Sequence, residues 1–172
     1  MNIFYLDGNA RLAAEAHCDK HVVKMVLETA QLLSTAHRVL DGDEYADSVG
    51  LYKATHKNHP SAVWARNGQE NYCWLHDLFN HLCFEYHKRY NKAHKTSKLM
   101  YPLSRIPTYI PLVSFCPPPQ CMPDEYKVDN DTVLAYRKYY LGAKKHFAKW
   151  TKTQAPSWWV NNDGQTTTSE RD

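Results

Sequence analysis

The chain has 172 residues, a formal net charge of +3 with its ten histidines neutral, and 43% hydrophobic residues. That length favours a single domain with a real core, and no apolar run approaches the roughly 20 residues that a membrane-spanning helix needs. The composition argues against an integral membrane protein, and the mild positive charge permits nucleic-acid binding without requiring it.

Two further features indicate a cytoplasmic protein. The N-terminus, MNIFYLDGNA, has no basic stretch before its apolar residues, so it does not resemble a secretory signal. The five cysteines form no CxxC pair and are odd in number, which is typical of reduced thiols rather than of a disulfide framework or a structural zinc site.

The first half of the chain begins with a segment that predicts a short strand or an extended arm over residues 2–6. A short helix over 9–17 then runs into a long helix over 17–38, in which apolar residues recur at helical spacing. Residues 41–50 are acidic and bounded by glycine, which predicts a surface loop.

A second helical region begins at Pro60, because proline is well tolerated in the first turn of a helix. Asn58 or His59 is expected to cap that turn. Apolar residues then recur at helical spacing to about residue 90, and Gly68 is expected to bend or split this helix.

The last part of the chain contains a proline-rich stretch over 91–127, which forbids any long helix there. A final helix is predicted over 130–150. We expect a mainly α fold, a compact single-domain bundle of four or five helices over 1–160 with a long proline-rich loop. The polar residues 161–172 are expected to be a disordered tail.

Six polar side chains share one face of the long predicted helix. They are spaced by 4, 3, 4, 3 and 4 residues, which averages 3.6 residues per turn. These residues are His17, His21, Lys24, Glu28, Gln31 and Thr35. Apolar residues fill most of the remaining circumference, so the helix is expected to be buried with its polar stripe lining a cleft. The alternative is an ordinary solvated face with Lys24 and Glu28 as a supporting pair.

An acid, an amine and two imidazoles facing one cleft would form a candidate active site. Glu28 can act as a general acid/base, and Lys24 as its counter-ion or as a Schiff-base amine. His17 and His21 have the spacing of a helical metal-binding pair, but no third ligand is evident nearby. Hydrogen-bonded imidazoles are favoured, and we predict no metal and no cofactor.

A second candidate site lies where the loop before Pro60 meets its helix, since free N–H groups at a helix start favour anions. The side chains that can hold a phosphate there are His56, Asn58, His59, Lys53, Lys57 and Arg66. The alternative is ordinary helix capping.

A third candidate is the C-terminal segment, in which basic and aromatic residues alternate as nucleic-acid binding requires. They include Tyr136, Arg137, Lys138, Tyr139, Tyr140, Lys144, Lys145, Phe147, Lys149, Trp150, Lys152, Trp158 and Trp159. The alternative is an aromatic face packed on the core behind a solvated basic face. The pair Trp158 and Trp159 is either docked on the core or offered to a ligand.

The run DKHVVKMVLE at 19–28 resembles the catalytic helix of the phage pyrimidine-dimer DNA glycosylases of the endonuclease V type. In that family a histidine is followed after seven residues by the catalytic glutamate, and His21 and Glu28 match these positions. The sequence at 58–60 is similar to one in bacterial relatives, and 136–142 is similar to the family's C-terminal tail near DNA. The whole chain also resembles a widespread group of uncharacterised phage proteins sharing CDKHVVKM and THKNHPSAVWAR.

The resemblance implies a small helical enzyme whose nucleophile is an N-terminal α-amine, which is less basic than a lysine amine. In the family, removal of the initiator methionine exposes that amine. Here Asn2 is expected to block the removal, so the amine would belong to Met1, with Lys24 as the nearest substitute. The family's arginines beside its glutamate are absent, since Leu27 and Gln31 stand there.

We therefore expect an enzyme of phage type that acts on a damaged or modified base in DNA, as a glycosylase/lyase-like hydrolase in the host cytoplasm. The expected catalytic residues are Glu28, Lys24, His21 and Met1. The expected substrate-binding residues are His17, Gln31, His56, Asn58, His59, Arg66, Tyr139, Lys145, Trp158 and Trp159. The alternatives are a transferase acting on a modified pyrimidine, a non-catalytic nucleotide-binding protein that sequesters a signalling nucleotide, and an accessory DNA-binding module.

Overall fold

Helices form most of the structure, a computed structural model that describes residues 1–159. Over these residues the mainly α prediction is confirmed, with six α-helices and no strand. The helices are α1 (Ala10–Ala16), α2 (Asp19–Asp41), α3 (Glu44–Ser48), α4 (Pro60–Arg66), α5 (Gln69–Tyr90) and α6 (Thr132–Tyr139). None of the helices in this part of the chain is long and apolar enough to cross a membrane.

The ends of the helices follow from local chemistry. Pro60 is the first residue of α4, and the side chain of His59 accepts a hydrogen bond from the Ser61 N–H, as a helix cap does. Gly68 separates α4 from α5, which confirms the predicted split. Asn91 ends α5 in the left-handed conformation, which asparagine tolerates better than most residues.

The two long helices, α2 and α5, pack against each other in antiparallel orientation. Near the end of α2, an imidazole nitrogen of His37 lies 2.9 Å from the hydroxyl of Tyr72 in the first turn of α5. Near the start of α2, Asp19 pairs with Arg89 in the last turn of α5. The buried faces of these helices, with α1 and α4, form the hydrophobic core.

Arg89 is a fully buried cation that joins three helices. Its guanidinium donates to Glu85 at 3.0 Å and contacts Asp19 at 3.3 Å. It also donates to the carbonyl oxygens of His17 at 2.7 Å and Glu15 at 3.0 Å. A buried charge is tolerated only where its donors are satisfied, and here that requirement holds the end of α1, the start of α2 and the end of α5 together.

Asp19 extends this network to the C-terminal segment. One oxygen of its carboxylate accepts hydrogen bonds from the backbone N–H and the hydroxyl of Thr151, both at 2.8 Å. The backbone N–H of Asp19 donates to the carbonyl of Lys149 at 2.8 Å. The segment after α6 is therefore fastened to the first turn of α2.

The first seven residues form an extended arm that runs through the core rather than a strand. The ring of Phe4 stacks on the imidazole of His21 with centroids 4.3 Å apart. Nδ1 of His21 lies 2.6 Å from the hydroxyl of Tyr140. Nδ1 of His17 donates to the carbonyl of Ala13 at 2.6 Å. Both histidines are therefore interior residues that support the arm.

Burial sets the protonation of these two histidines. It lowers the pKa of His17 to about 4. Burial lowers the pKa of His21 to about 3, and it is assisted by repulsion from His17, once that ring is protonated in acid, and from three nearby lysines. Both imidazoles are therefore neutral at neutral pH.

The structure differs from the prediction at one connection and agrees with it at another. The expected surface loop over 41–50 contains α3, which is too short to show a periodic pattern. The guanidinium of Arg38 stabilises it by pairing with Asp43 at 2.7 Å and Asp47 at 2.8 Å. Between Tyr90 and α6 the structure contains only short 3₁₀ turns, which confirms that the prolines exclude a long helix.

The predicted helix over 130–150 is wrong at its end. α6 continues as a π turn over Tyr140–Lys144 and then leaves the helical path. Gly142 in this turn lies against Tyr126, so close that a Cβ there would be 2.7 Å from the tyrosine oxygen. The predicted tail over 161–172 lies outside the described residues.

The prediction that the long helix is buried apart from its polar stripe is also wrong in part. Val23 and Leu27 are 41% and 38% exposed and lie next to the polar stripe. On an α-helix of 100° per residue, they fall between the buried face and Lys24, so the solvent-facing strip is wider than the polar pattern indicates.

Breaking the Arg89 network is expected to destabilise the fold. Arg89→Met leaves the buried carboxylate of Glu85 with only the exposed Lys88 as a cation, and the loss of the buried pair costs about 3–5 kcal/mol of the free energy of unfolding. Arg11→Met removes the same i,i+4 pairing with Glu15, where the side chains are 60% and 40% exposed, and costs at most about 1 kcal/mol. Urea denaturation measures both, and equal losses would contradict the importance assigned to the buried pair.

Acid is expected to destabilise the fold through His17 and His21. The unfolded chain protonates both below about pH 6.5, whereas the folded protein keeps them neutral. Their contribution is therefore complete above that pH and falls as the pH drops towards 4, by about 1.4 kcal/mol per pH unit for each histidine. Urea midpoints measured from pH 7 to pH 4 test this.

The variants His17→Gln and His146→Gln provide the comparison. His17→Gln should remove about half of that pH dependence, while the exposed His146→Gln should leave it unchanged. An identical slope for His17→Gln and the unmodified protein would show that His17 does not remain neutral in the folded state.

Candidate active site

The N-terminal amine of the chain lies beside Glu28. The nitrogen of Met1 is 4.0 Å from one carboxylate oxygen of Glu28, and Nζ of Lys24 is 3.4 Å from the other. The Glu28 side chain is 14% exposed, whereas that of Lys24 is 61% exposed. One partly buried acid is thus flanked by an amine on the protein side and an amine on the solvent side.

The position of the Met1 amine is held by the residues next to it. The Met1 side chain is only 3% exposed and packs on the core. The Asn2 side chain donates to the carbonyl of Cys121 at 3.0 Å and accepts from the Ile3 N–H at 2.8 Å and the Tyr136 hydroxyl at 2.9 Å. If Met1 were removed, the amine would move back by one residue, about 3.8 Å between Cα atoms.

His59 is the third titratable group near this amine. Burial lowers its pKa, the positive N-terminus and then His56 lower it further, and the Glu28 carboxylate opposes them. Because Nδ1 of this neutral ring accepts from the Ser61 N–H, its proton lies on Nε2. His59 therefore offers an N–H donor in the neighbourhood of the acid and the amine.

His59 reaches this place because residues 52–59 cross over α2. The guanidinium of Arg38 donates to the carbonyl of Tyr52 at 2.6 Å. Closer to the acid, the Thr35 hydroxyl donates to the carbonyl of Thr55 at 3.3 Å and accepts from the Thr55 N–H at 3.1 Å. Thr35 is fully buried beneath this segment, so the predicted polar stripe is partly covered by the chain itself.

The other predicted site residues of this region lie on or near the same segment. His56 and Asn58 are exposed, and His56 adopts a left-handed conformation with a φ of 48°. Arg66 is half-buried and donates to the carbonyl of Lys57 at 2.8 Å. Gln31 is half-buried one turn after Glu28 on α2. The structure thus brings the second candidate site next to the first.

His17 and His21 do not join the group around Glu28. Both are buried, and His21 contacts Phe4 and Tyr140 instead of the amine. Nε2 of His17 has no hydrogen-bond partner among the described residues. In residues 1–159 there is also no group of three or more His, Cys, Asp or Glu side chains that could hold a metal ion.

The C-terminal candidates lie on an aromatic group around the arm. Tyr139 is half-buried, with its ring centroid 6.4 Å from that of Phe4, and Lys145 is exposed. The rings of Trp158 and Tyr140 are 6.0 Å apart. Trp158 and Trp159 are both half-buried and pack on the core. The two tryptophans are therefore docked on the core, and part of each side chain is still reachable from solvent.

Two residues that hold the amine were not predicted to do so. Asn2 and Tyr136 are 134 residues apart in sequence and meet only in the folded chain. Asn2 could have been found from its place next to the N-terminus. The sequence names Tyr136 only as a member of the C-terminal basic and aromatic segment, because nothing in it distinguishes the partner of this hydroxyl from those of the neighbouring tyrosines.

The arrangement combines the groups that amine-based nucleophilic catalysis needs. An amine in its neutral form can attack an electrophilic carbon, and a carboxylate at its side can accept and return the proton. Glu28 also places negative charge where a cationic intermediate would develop. The imidazole N–H of His59 can hydrogen-bond a leaving group or a phosphate oxygen.

Comparison with known proteins identifies the family of the chain. The model of the family described as pyrimidine dimer DNA glycosylase matches residues 1–98. No curated protein and no solved structure matches the chain. The matched residues include the amine, Lys24, Glu28 and His59, and they make up more than half of the 172 residues. The chain therefore belongs to the pyrimidine dimer DNA glycosylase family.

Proposed function

We propose that this protein is a DNA glycosylase with lyase activity that uses the α-amine of Met1 as its nucleophile and Glu28 as its acid/base. The observation that carries the proposal is the 4.0 Å separation between the Met1 nitrogen and the Glu28 carboxylate. The family match supports DNA as the substrate and pyrimidine dimers as the lesion.

The first step replaces a bond to the base by a bond to the amine. The neutral amine attacks C1′ of a nucleotide turned out of the stack, and the bond from C1′ to the base breaks. The base leaves with the bonding electrons and takes up a proton, while Glu28 stabilises the cationic sugar and accepts the proton that the amine loses. Opening of the sugar ring, with protonation of its oxygen, then gives an iminium between Met1 and C1′.

The second step cleaves the strand. Glu28 removes a proton from C2′, the electrons form the C2′–C3′ double bond, and the 3′ phosphate leaves. Water then hydrolyses the iminium, which releases the product and restores the amine. The same carboxylate serves as base in both steps, which requires that it return its proton between them.

The neighbouring residues have supporting roles in this proposal. Lys24 pairs with Glu28 from the solvent side and is the alternative amine. His59 donates from Nε2, and Gln31, His56, Asn58 and Arg66 contact the DNA. His21 acts as a positioning residue, since it stacks on Phe4 of the arm that carries the amine. Tyr139, Lys145 and the two C-terminal tryptophans extend the DNA contact, and His17 supports the arm from inside.

The identity of the nucleophile can be tested by reductive trapping. Incubation with a duplex containing a pyrimidine dimer or an abasic site, with borohydride present, is expected to give a covalent adduct on the peptide that begins with Met1. Intact mass should show that Met1 is retained and unblocked. Lys24→Met should still form the adduct at Met1, because the proposed nucleophile remains.

Two outcomes would contradict this assignment. An adduct mapped to Lys24 would exchange the roles of the two amines. No adduct at all, together with tight binding of a small nucleotide without turnover, would favour the non-catalytic nucleotide-binding alternative.

Removing the carboxylate tests the role of Glu28. Glu28→Gln is expected to lower the single-turnover rate by at least about a hundredfold, because general acid/base catalysis contributes about 10² to 10⁴. Its affinity for lesion-containing DNA should be nearly unchanged, since the substitution removes no positive charge. Glu44→Gln, at an exposed acid in the first turn of α3, should keep the full rate. Full activity of Glu28→Gln would refute the assignment.

A further inference from the structure

A small cavity lies at the C-terminal end of α2, next to the crossing segment of residues 52–59. Its volume is about 210 Å³, which is below the roughly 300–1,000 Å³ of a typical small-molecule pocket. The lining residues are Arg38, Val39, Asp43, Lys53, Ala54 and Lys57. A cavity of this size suits a single phosphate group rather than a whole nucleotide.

The charges around the cavity leave its open side positive. Arg38 is 8% exposed and pairs with both Asp43 and Asp47, so these two carboxylates are compensated from the protein side. Lys53 contacts Asp47 at 3.0 Å with a side chain that is 81% exposed. Lys57 is exposed and makes no ion pair within residues 1–159. Three cations face two carboxylates, which gives a local balance of +1.

The cavity and the candidate active site lie on the same face of α2. Val39 follows Glu28 by eleven residues, which corresponds to about 16 Å along the helix axis and a rotation of roughly 20° around it. Since B-DNA rises about 3.4 Å per nucleotide of one strand, this distance spans about five base-pair steps. A duplex that has its lesion at Glu28 and its axis along α2 can therefore bring a backbone phosphate over the cavity.

The segment that carries the two lysines is also held rigidly. Arg38 donates to the carbonyl groups of Tyr52 at 2.6 Å and Leu51 at 3.0 Å. On the other side of Lys53, Thr55 exchanges two hydrogen bonds with Thr35. The backbone of Lys53 is therefore fixed between two anchoring points on α2, which lowers the entropy lost when a phosphate binds.

We propose that this cavity is a subsite for a DNA backbone phosphate, about five base-pair steps from the nucleotide at Glu28, with Lys53 and Lys57 as its donors. The inference rests on the proposed function, since it takes the lesion to lie at Glu28. Arg38 is a positioning residue that holds the segment and neutralises Asp43 and Asp47.

The salt dependence of DNA binding tests the lysines. The double variant Lys53→Gln with Lys57→Gln should bind lesion-containing duplex at least about tenfold more weakly at 0.1 M salt. The slope of log affinity against log salt should become shallower by about 0.9, which is the contribution of one phosphate contact. Lys53→Arg with Lys57→Arg keeps the charge and should retain the slope. An unchanged slope in the glutamine pair, or an equal loss in the arginine pair, would overturn the proposal.

A scan of single methylphosphonate substitutions, which remove the charge of one phosphate, locates the contact. The unmodified protein should lose affinity at a position about five steps from the lesion on one side, and the glutamine pair should show no further loss there. Equal losses in both proteins at every position would overturn the proposal. Saturable binding of inorganic phosphate that is abolished in the glutamine pair, with no loss of DNA affinity at any methylphosphonate position, would assign the cavity to a free anion and also overturn the proposal.

These measurements separate the subsite from the chemistry. Suppose that the unmodified protein loses affinity at one methylphosphonate position, that the glutamine pair does not, and that no borohydride adduct forms. This result would retain the phosphate subsite and refute the proposed nucleophile. A borohydride adduct, together with equal methylphosphonate effects in the two proteins, would refute the subsite alone. If the unmodified protein bound no DNA, both proposals would fail.

Discussion

The structure depends on the satisfaction of one buried cation, Arg89. Its guanidinium donates to the carbonyl of His17 at the end of α1, pairs with Glu85 of α5 and contacts Asp19 in the first turn of α2. Removing such a charge from water costs several kcal/mol unless all its partners are in place. The position of α2, and therefore the direction in which Lys24 and Glu28 leave it, is fixed by this requirement. Asp19 passes the same constraint to the C-terminal segment.

The second constraint is that the proposed nucleophile is the end of the chain. An α-amine has no side-chain stem to adjust its place, so the arm behind it must be rigid. Phe4 stacks on a neutral His21, and Asn2 bonds to Tyr136 of α6. The residues that hold the amine therefore come partly from beyond residues 1–98, the part that the family model matches. The aromatic C-terminal third therefore helps to position the amine.

The charge distribution around the acid differs from what the family resemblance implies. Leu27, which is 38% exposed, and Gln31 stand where the family has arginines beside its glutamate. Positive charge is supplied instead from the segment over 52–59, which includes Lys53 and Lys57. Phosphate contacts in this chain would then lie further along α2, away from the acid. The acid itself keeps an apolar edge, which suits an unstacked base better than a phosphate.

The sequence by itself determined the helical class, the start of α4 at Pro60, the split at Gly68 and the family, because these depend on local spacing and on residue types within one turn. It also indicated Glu28 through its place on the polar stripe. Tertiary structure alone decided that His17 and His21 turn inward and that residues 52–59 cover part of the stripe, and it set the distance between Glu28 and the N-terminal amine that the family resemblance implied. Those outcomes depend on burial and on contacts between residues that are 20 positions apart for Thr35 and Thr55 and 134 positions apart for Asn2 and Tyr136, and no periodicity in the chain encodes them.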